Sequence, residues 1–350
     1  FDNGDLVTNN KILAIDYYDK DGKVRNIDTG KWPSANITVS PRVGFNWHLT
    51  EDRALTLRGG TGFFSGRLPL VFFTNMPTNS GFVQYQAQIN AKNLGNAKEG
   101  EAGYGYTMDA FKGGLVVDKD GKATTQALLD KLISMGYPST YPEEGTKPSS
   151  ISAVDPKFKM PQVWKTSLAL DYKFPTAFPF SVTGEFIYNK TINGVTISDW
   201  SIMPVNGFAR LHGADNRPVY PANFRTGTKA FVLENTNKGY GYSANLTVNM
   251  APIEGLSLMA AYTHTASKEL TGMPGSAAES AFTYVPTVEG PNNIKLHNSQ
   301  YVTPDRVVAS ATYSDKSNNH FSLIYETWRG GYNYSYMLVN DMNGDGYNYD

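Results

Sequence analysis

Apolar and polar residues alternate one for one along much of this chain. In residues 239–250, Tyr240, Tyr242, Ala244, Leu246, Val248 and Met250 fall on one side, and Gly241, Ser243, Asn245, Thr247 and Asn249 on the other. That period of two is the mark of a β-strand with one apolar face. Residues 164–174 repeat it, with Trp164, Thr166, Leu168, Leu170, Tyr172 and Phe174 against Lys165, Ser167, Ala169, Asp171 and Lys173. Residues 180–189 oppose Phe180, Val182, Phe186 and Tyr188 to Ser181, Thr183, Glu185 and Asn189. Runs at 43–49, 55–63, 256–263, 307–313 and 321–325 follow the same rule, which makes eight strands. The charged residues within these runs, Arg58, Lys165, Asp171, Lys173, Glu185 and Arg306, all lie on the polar side.

The connections sort by length. Residues 50–53, 175–179, 251–255 and 315–318 are short turns, and between them lie excursions of roughly 64–161, 191–238 and 267–304. A soluble sandwich has no reason to place short and long loops strictly at alternate ends. A membrane barrel does, with short periplasmic turns and long extracellular loops. Lipid cannot hydrogen-bond a bare sheet edge, so a spanning sheet has to close on itself. Trp164, Phe174, Phe180, Tyr188, Tyr240 and Tyr313 stand at the ends of apolar sets, where a barrel carries its interfacial aromatic girdles. The pattern predicts an all-β chain, a transmembrane antiparallel β-barrel with long extracellular loops, covering residues 1–350. A soluble β-protein with one buried face would also alternate.

Two smaller elements are predicted outside the wall. Residues 11–18 and 23–28 read as a hairpin around Asp19-Lys20-Asp21-Gly22, ahead of a strand at 36–49. Residues 124–136 read as a helix capped by Thr124 or Thr125, with Leu128, Leu129, Leu132 and Ile133 as its apolar face and Gly136 as its stop. A helix inside so long a loop implies a folded loop.

Composition narrows the picture. Apolar residues are 40% of the chain, which excludes disorder. A net charge of −1 excludes a generally basic nucleic-acid binder, so no nucleic-acid partner is expected. The absence of cysteine removes disulfides, thiolate metal sites and thiol catalysis. No run of about 18 apolar residues occurs, so no transmembrane helix is expected. The chain opens at Phe1 without a basic-then-apolar leader and stops at Asp350 after a polar loop, which reads as a fragment.

Several strings resemble a known family. They are Ser40-Pro41-Arg42-Val43-Gly44-Phe45-Asn46-Trp47, Leu57-Arg58-Gly59-Gly60-Thr61-Gly62-Phe63-Phe64-Ser65-Gly66-Arg67, Pro161-Gln162-Val163-Trp164 and Asp171-Tyr172-Lys173-Phe174-Pro175. Leu233-Glu234-Asn235-Thr236-Asn237-Lys238-Gly239-Tyr240 and Asn340-Asp341-Met342-Asn343-Gly344-Asp345-Gly346 complete the set. In this order they resemble the barrel region of TonB-dependent outer-membrane receptors of Bacteroidota, in the Oar-like branch related to SusC. The resemblance implies part of a barrel of about 22 strands around an N-terminal plug domain. It implies energised import driven by TonB through that plug, and a surface lipoprotein of SusD type as a possible cap. The plug and TonB box have no counterpart in this stretch, and a self-contained barrel of about eight to ten strands is the alternative architecture. The implied ligand is a peptide, a glycan or a siderophore, with the Oar-like resemblance leaning toward peptides. A partner-binding barrel without transport, and a soluble binding module, are the other readings.

One motif points to a metal. Asp341, Asn343 and Asp345 supply side-chain oxygens at positions 1, 3 and 5, Gly346 stands at position 6, and the Tyr347 carbonyl at position 7. That is the start of a calcium loop, and its bidentate acid at position 12 falls past Asp350. A plain polar turn is the competing reading; no other cofactor is expected. The histidines, His48, His212, His264, His297 and His320, have no metal-ligand spacing and read as pore-lining or loop residues. No nucleophile elbow, phosphate loop or dinucleotide fingerprint occurs, so no enzymatic role is expected. Phe72, Phe73, Phe82, Tyr85, Tyr104, Tyr106 and Phe111 read as a loop core that doubles as a ligand surface, and Arg58 and Arg67 as lumen residues.

Overall fold

The computed structural model describes residues 6–82, 89–114, 116–139, 144–332 and 341–350. A helical turn, α1 (Asn10–Leu13), and a two-residue ladder, β1 (Tyr17–Tyr18) with β2 (Val24–Arg25), come first. The expected hairpin is therefore much shorter than 11–28. Asn9 accepts from the Lys11 N–H and caps α1, so the local chain coils where an extended arm was expected.

The eight expected strands form one antiparallel wall. They are β3 (Arg42–His48) and β4 (Leu55–Ser65), then, past the first excursion and its short strand β5 (Ser150–Val154), β6 (Gln162–Lys173) and β7 (Phe180–Asp199). After β8 (Lys229–Thr236), also in an excursion, come β9 (Tyr240–Ile253) and β10 (Leu256–Glu269), and after the two-residue β11 (His297–Asn298), β12 (Asp305–Ser314) and β13 (His320–Trp328). The spatial order is β3-β4-β6-β7-β9-β10-β12-β13, so each wall strand lies beside its neighbours in sequence. Among the described residues β3 and β13 pair on one side only, and the wall is an open sheet. Residues 36–41, expected as the start of the first strand, lie outside the ladder.

The four short turns are present, and the one expected at 251–255 is only Glu254-Gly255, because β9 runs on to Ile253. Asp315 Oδ1 accepts from the Ser317 and Asn319 N–H groups at 2.8 and 2.9 Å and closes β12 onto β13. Gly255 closes β9 onto β10 at φ 80°, and a Cβ there would stand 2.4 Å from the Ser314 carbonyl oxygen, so only glycine fits.

The long excursions are folded. β7 continues for 20 residues, about 66 Å at ~3.3 Å per residue, well past an apolar band about 25 Å tall. Its lower part pairs with β6 and β9, and from Gly194 onward it pairs with β8 instead. β5 adds to β8 in parallel. This second sheet is buried on both faces and ends β7 in four buried residues. The helices α2 (Val71–Thr78) and α5 (Ala278–Thr283) cover it: Phe72, Met76, Ile197, Phe231, Leu233 and Phe282 share one core. Ile12, Tyr17, Ile27, Ile151, Trp200 and Val232 form a second core on its other side. The rest of the first excursion carries α3 (Ala91–Asn96) and α4 (Thr125–Ser134), the latter capped by Thr124 through the Ala127 N–H at 3.1 Å, as expected. Its expected apolar face is not covered: Leu128, Leu129 and Ile133 are exposed, and only Ala127 is buried.

Candidate functional site: the inward wall and the loop lobe

Because side chains alternate across a strand, the register assigns each wall residue to a face. On the polar face, Arg58 donates through Nε to Asp171 Oδ2 at 2.8 Å and through Nη1 to Glu185 Oε1 at 3.4 Å. Thr183 Oγ1 donates to Asp171 Oδ1 at 2.7 Å. Arg42 sits 4.2 Å from the Phe64 ring centroid, with Lys165 at 5.6 Å from the same ring. At the far side of the wall Arg306 pairs with Glu326. The opposite face is apolar and ends in aromatic contacts. Phe174 stacks on Phe180 at 4.6 Å, and Trp164 meets Tyr188 edge-on at 5.9 Å.

Above the wall, the loop lobe is fastened by buried polar groups. Asp199, at the end of β7, is fully buried and forms an ion pair with Arg225. Its Oδ1 accepts from the Ser201 hydroxyl and the Ala230 N–H, and its Oδ2 accepts from the Tyr347 hydroxyl at 2.8 Å. Arg225 also donates to the Asp345 carbonyl at 2.9 Å. Three distant segments thus meet on one carboxylate. The second buried acid is Glu234 of β8, whose Oε1 accepts from Trp200 Nε1 and whose Oε2 lacks a partner among the described residues. Burial pushes its carboxyl up to about 7, and the charges of Asp155 and Asp19 act in the same sense.

The 341–347 turn lies against this lobe. Asp341 Oδ1 accepts from the Gly344 N–H at 2.7 Å and the Asp345 N–H at 3.1 Å, and its Oδ2 from the Gly346 N–H at 2.7 Å. Asn343 Oδ1 accepts from the Asp345 N–H, and Asp345 Oδ1 from the Tyr347 N–H. Gly344 and Gly346 take φ of 81° and 85°, which lets the turn close this tightly. Asn343 and Asp345 are buried, as is Asp350, whose Oδ2 accepts from the Met342 N–H at 2.7 Å. Burial first, then the charges of Asp350 and Asp341, push the Asp345 carboxyl up to about 6. Among the described residues no three His, Asp or Glu groups stand within reach of one metal ion.

A two-faced antiparallel wall with aromatic ends and folded loops at one end is what a membrane-spanning barrel requires. The family model for an outer membrane beta barrel domain matches residues 3–336. The chain belongs to that family. No curated protein matches it. As an outer-membrane β-barrel domain it sits in the bacterial outer membrane. The apolar face of the wall is therefore the lipid face, and the Arg58 and Arg306 clusters face the lumen. That no helix among the described residues is long and apolar enough to cross a membrane does not bear on a chain that crosses with strands.

The remaining expected site residues scatter. Of the histidines, His48 and His320 share the inward parity with Thr56 and Ser314, to which they hydrogen-bond. His264 is a correction: its parity is that of Tyr262 and Ala266, so it stands on the lipid side, at the outer rim, where Asp305 Oδ1 takes its Nδ1 at 2.8 Å. Arg67 lies beyond β4, away from the Arg58 cluster. Among the loop aromatics Phe72 is buried and Phe73 meets Phe158 at 6.0 Å, whereas Tyr104 is exposed. Tyr85 lies outside the described residues. Asp199, Arg225 and Trp200 escaped the sequence reading because their partners are distant or lie outside any motif; an acid and a Trp closing the apolar run of β7 were the available signal.

Proposed function

We propose that this domain is part of the wall and the surface loops of a TonB-dependent importer. The observation that carries the reading is the pairing of a polar inward wall with extracellular loops packed into a folded lobe, which suits capture above a lumen and passage through it. The ordered strings at 40–67, 161–175, 233–240 and 340–346, which resemble the Oar-like and SusC-related receptors, supply the TonB-dependent part. On this reading the eight wall strands belong to a barrel of about 22, TonB acts through a plug domain outside this stretch, and a SusD-type lipoprotein is a candidate cap. The role is transport and not catalysis.

The test is uptake of labelled peptides, oligosaccharides and ferric siderophores by cells with and without the intact protein. One ligand class should accumulate only with the protein, and a protonophore should abolish its accumulation. Uptake that survives the protonophore removes the energised mechanism. Equal uptake by both strains removes transport and leaves a partner-binding barrel, which the tightly packed loop lobe would also serve.

For the 341–347 turn a structural role comes first, since Tyr347, Arg225 and Asp199 tie it to the lobe. Calcium is the second reading, favoured by the spacing of Asp341, Asn343 and Asp345 and by the burial of Asp345 beside the charge of Asp341. Asp341, Asn343, Asp345 and the Tyr347 carbonyl would hold it. A rise in melting temperature on adding calcium, reversed by chelation, supports it, and an unchanged melting temperature removes it.

A further inference from the structure

A cleft of about 610 Å³ opens on the lumen face at the outer end of β10, β12 and β13. Its floor is hydroxyl-rich: Thr263, Thr265 and Ser267 follow one another on the inward side of β10. Its upper wall is the segment returning from the third excursion. That segment is held onto β10 by the Ser299 N–H donating to the Ser267 carbonyl and the Thr265 N–H donating to the Pro304 carbonyl, at 2.9 and 2.7 Å. It brings Ser299 and Thr303 to the cleft and presents the Tyr301 ring, which is 72% exposed. On the opposite side stands Trp328, 60% exposed. The register puts Trp328 across from Arg306, and Arg306 across from Thr263, so all three side chains face inward.

The chemistry of this lining selects among ligand classes. Among the described residues its charged groups are Arg306 and Glu326, and they pair with each other, Nε and Nη2 both contacting Glu326 Oε1 at 2.8 and 2.7 Å. The cleft therefore carries no net charge, which disfavours an anionic siderophore or an acidic peptide. Among the described residues Val302 is its one aliphatic lining residue, and they form no pocket for a bulky apolar side chain. Two exposed aromatic faces remain, together with a row of hydroxyls and a planar guanidinium–carboxylate pair in which Glu326 Oε2 takes no hydrogen bond among the described residues. Sugar rings present C–H faces that stack on aromatic rings, and hydroxyl pairs that bridge a guanidinium fork and a carboxylate oxygen.

We propose that this cleft is a binding subsite for a neutral oligosaccharide, with Trp328 and Tyr301 as stacking platforms and Arg306 and Glu326 as hydroxyl contacts. The inference rests on the importer reading for its purpose, and on the cleft alone for its chemistry. Pairing of a further strand against β13 would engage backbone groups and leave Trp328 facing inward.

The experiment is calorimetric titration of the intact protein in detergent micelles with neutral gluco-, manno-, xylo- and galacto-hexasaccharides, and with an uncharged hexapeptide. At least one hexasaccharide should bind saturably and the peptide should not. Trp328→Ala should weaken binding by about tenfold or more, while Trp328→Phe, which keeps a ring, should recover most of it. Glu326→Gln, which breaks the ion pair and keeps the shape, should weaken binding without loss of heat-modifiable gel mobility, the check on folding. Absence of saccharide binding in the millimolar range, or binding indifferent to both positions, overturns the proposal. Binding is read without energisation, so a saccharide that binds but is not accumulated counts against import and not against the cleft.

Discussion

At the scale of single residues, Glu234 has the most to reveal. It is fully buried, one carboxylate oxygen has only the Trp200 indole and the other has no partner among the described residues. The groups facing it from the packed elements are Asp19 and Lys20 of the β1–β2 turn and Asp155 beyond β5, and the carboxyl is held up to about 7 against 4.5. An acid raised in the folded state binds more protons there than in the unfolded chain. Stability is then highest below the unfolded value and falls as pH climbs from about 4.5 to about 7, by on the order of 3 kcal/mol. We expect the apparent melting temperature to drop between pH 4.5 and pH 8, and Glu234→Gln to flatten that drop. Equal melting temperatures for wild type at both pH values would mean that the carboxylate finds solvent or a cation in the native fold.

At the scale of elements, the wall strands carry a prediction that separates lipid from water. Leu246, on the outward side of β9, is 51% exposed, so no protein neighbour explains its apolar character. In water Leu246→Arg would be nearly neutral; at mid-bilayer it costs about 2–4 kcal/mol. Thr247→Arg, one residue on and facing the lumen, should leave insertion and stability nearly unchanged. Folding yields into liposomes of the two variants make the comparison, and equal yields would take lipid off the outward face. These wall strands were legible because each has one apolar face and an unambiguous period. β7 beyond Gly194 was not, since Val195-Thr196-Ile197-Ser198 alternates while both of its faces are buried. β8 was hidden for a different reason: Ala230-Phe231-Val232-Leu233 is a continuous apolar run inside a loop, readable as strand or helix. The cap of α4 was readable from Thr124, but whether its apolar face finds a partner is a tertiary fact that periodicity does not contain. The inward cleft was illegible too, because Thr263, Tyr301 and Trp328 converge only through strand register and the returning segment.

At the scale of the molecule, the open edges decide what the wall belongs to. Every residue of β3 and β13 is exposed, including Phe45, Trp47, Phe321 and Leu323. In a membrane an edge strand leaves a row of N–H and C=O groups in hydrocarbon, each costing several kcal/mol, so these edges have to be paired where the protein works. The aromatic and aliphatic side chains on their outward faces fit that setting, since a strand meant to remain an edge in water would carry lysine or proline there. Hydrogen exchange on the intact protein in liposomes reads the pairing directly. If further strands complete the barrel, the amides of β3 and β13 that point away from β4 and β12 should be protected as strongly as those in the middle of β7 and β9. Protection that is full at β9 and decays to solvent rates at β13 would mean that the wall stays open on that side. In that case the packed loop lobe, with Asp199 tying Arg225 and Tyr347 together, is the functional body, and the eight strands are its anchor in the membrane.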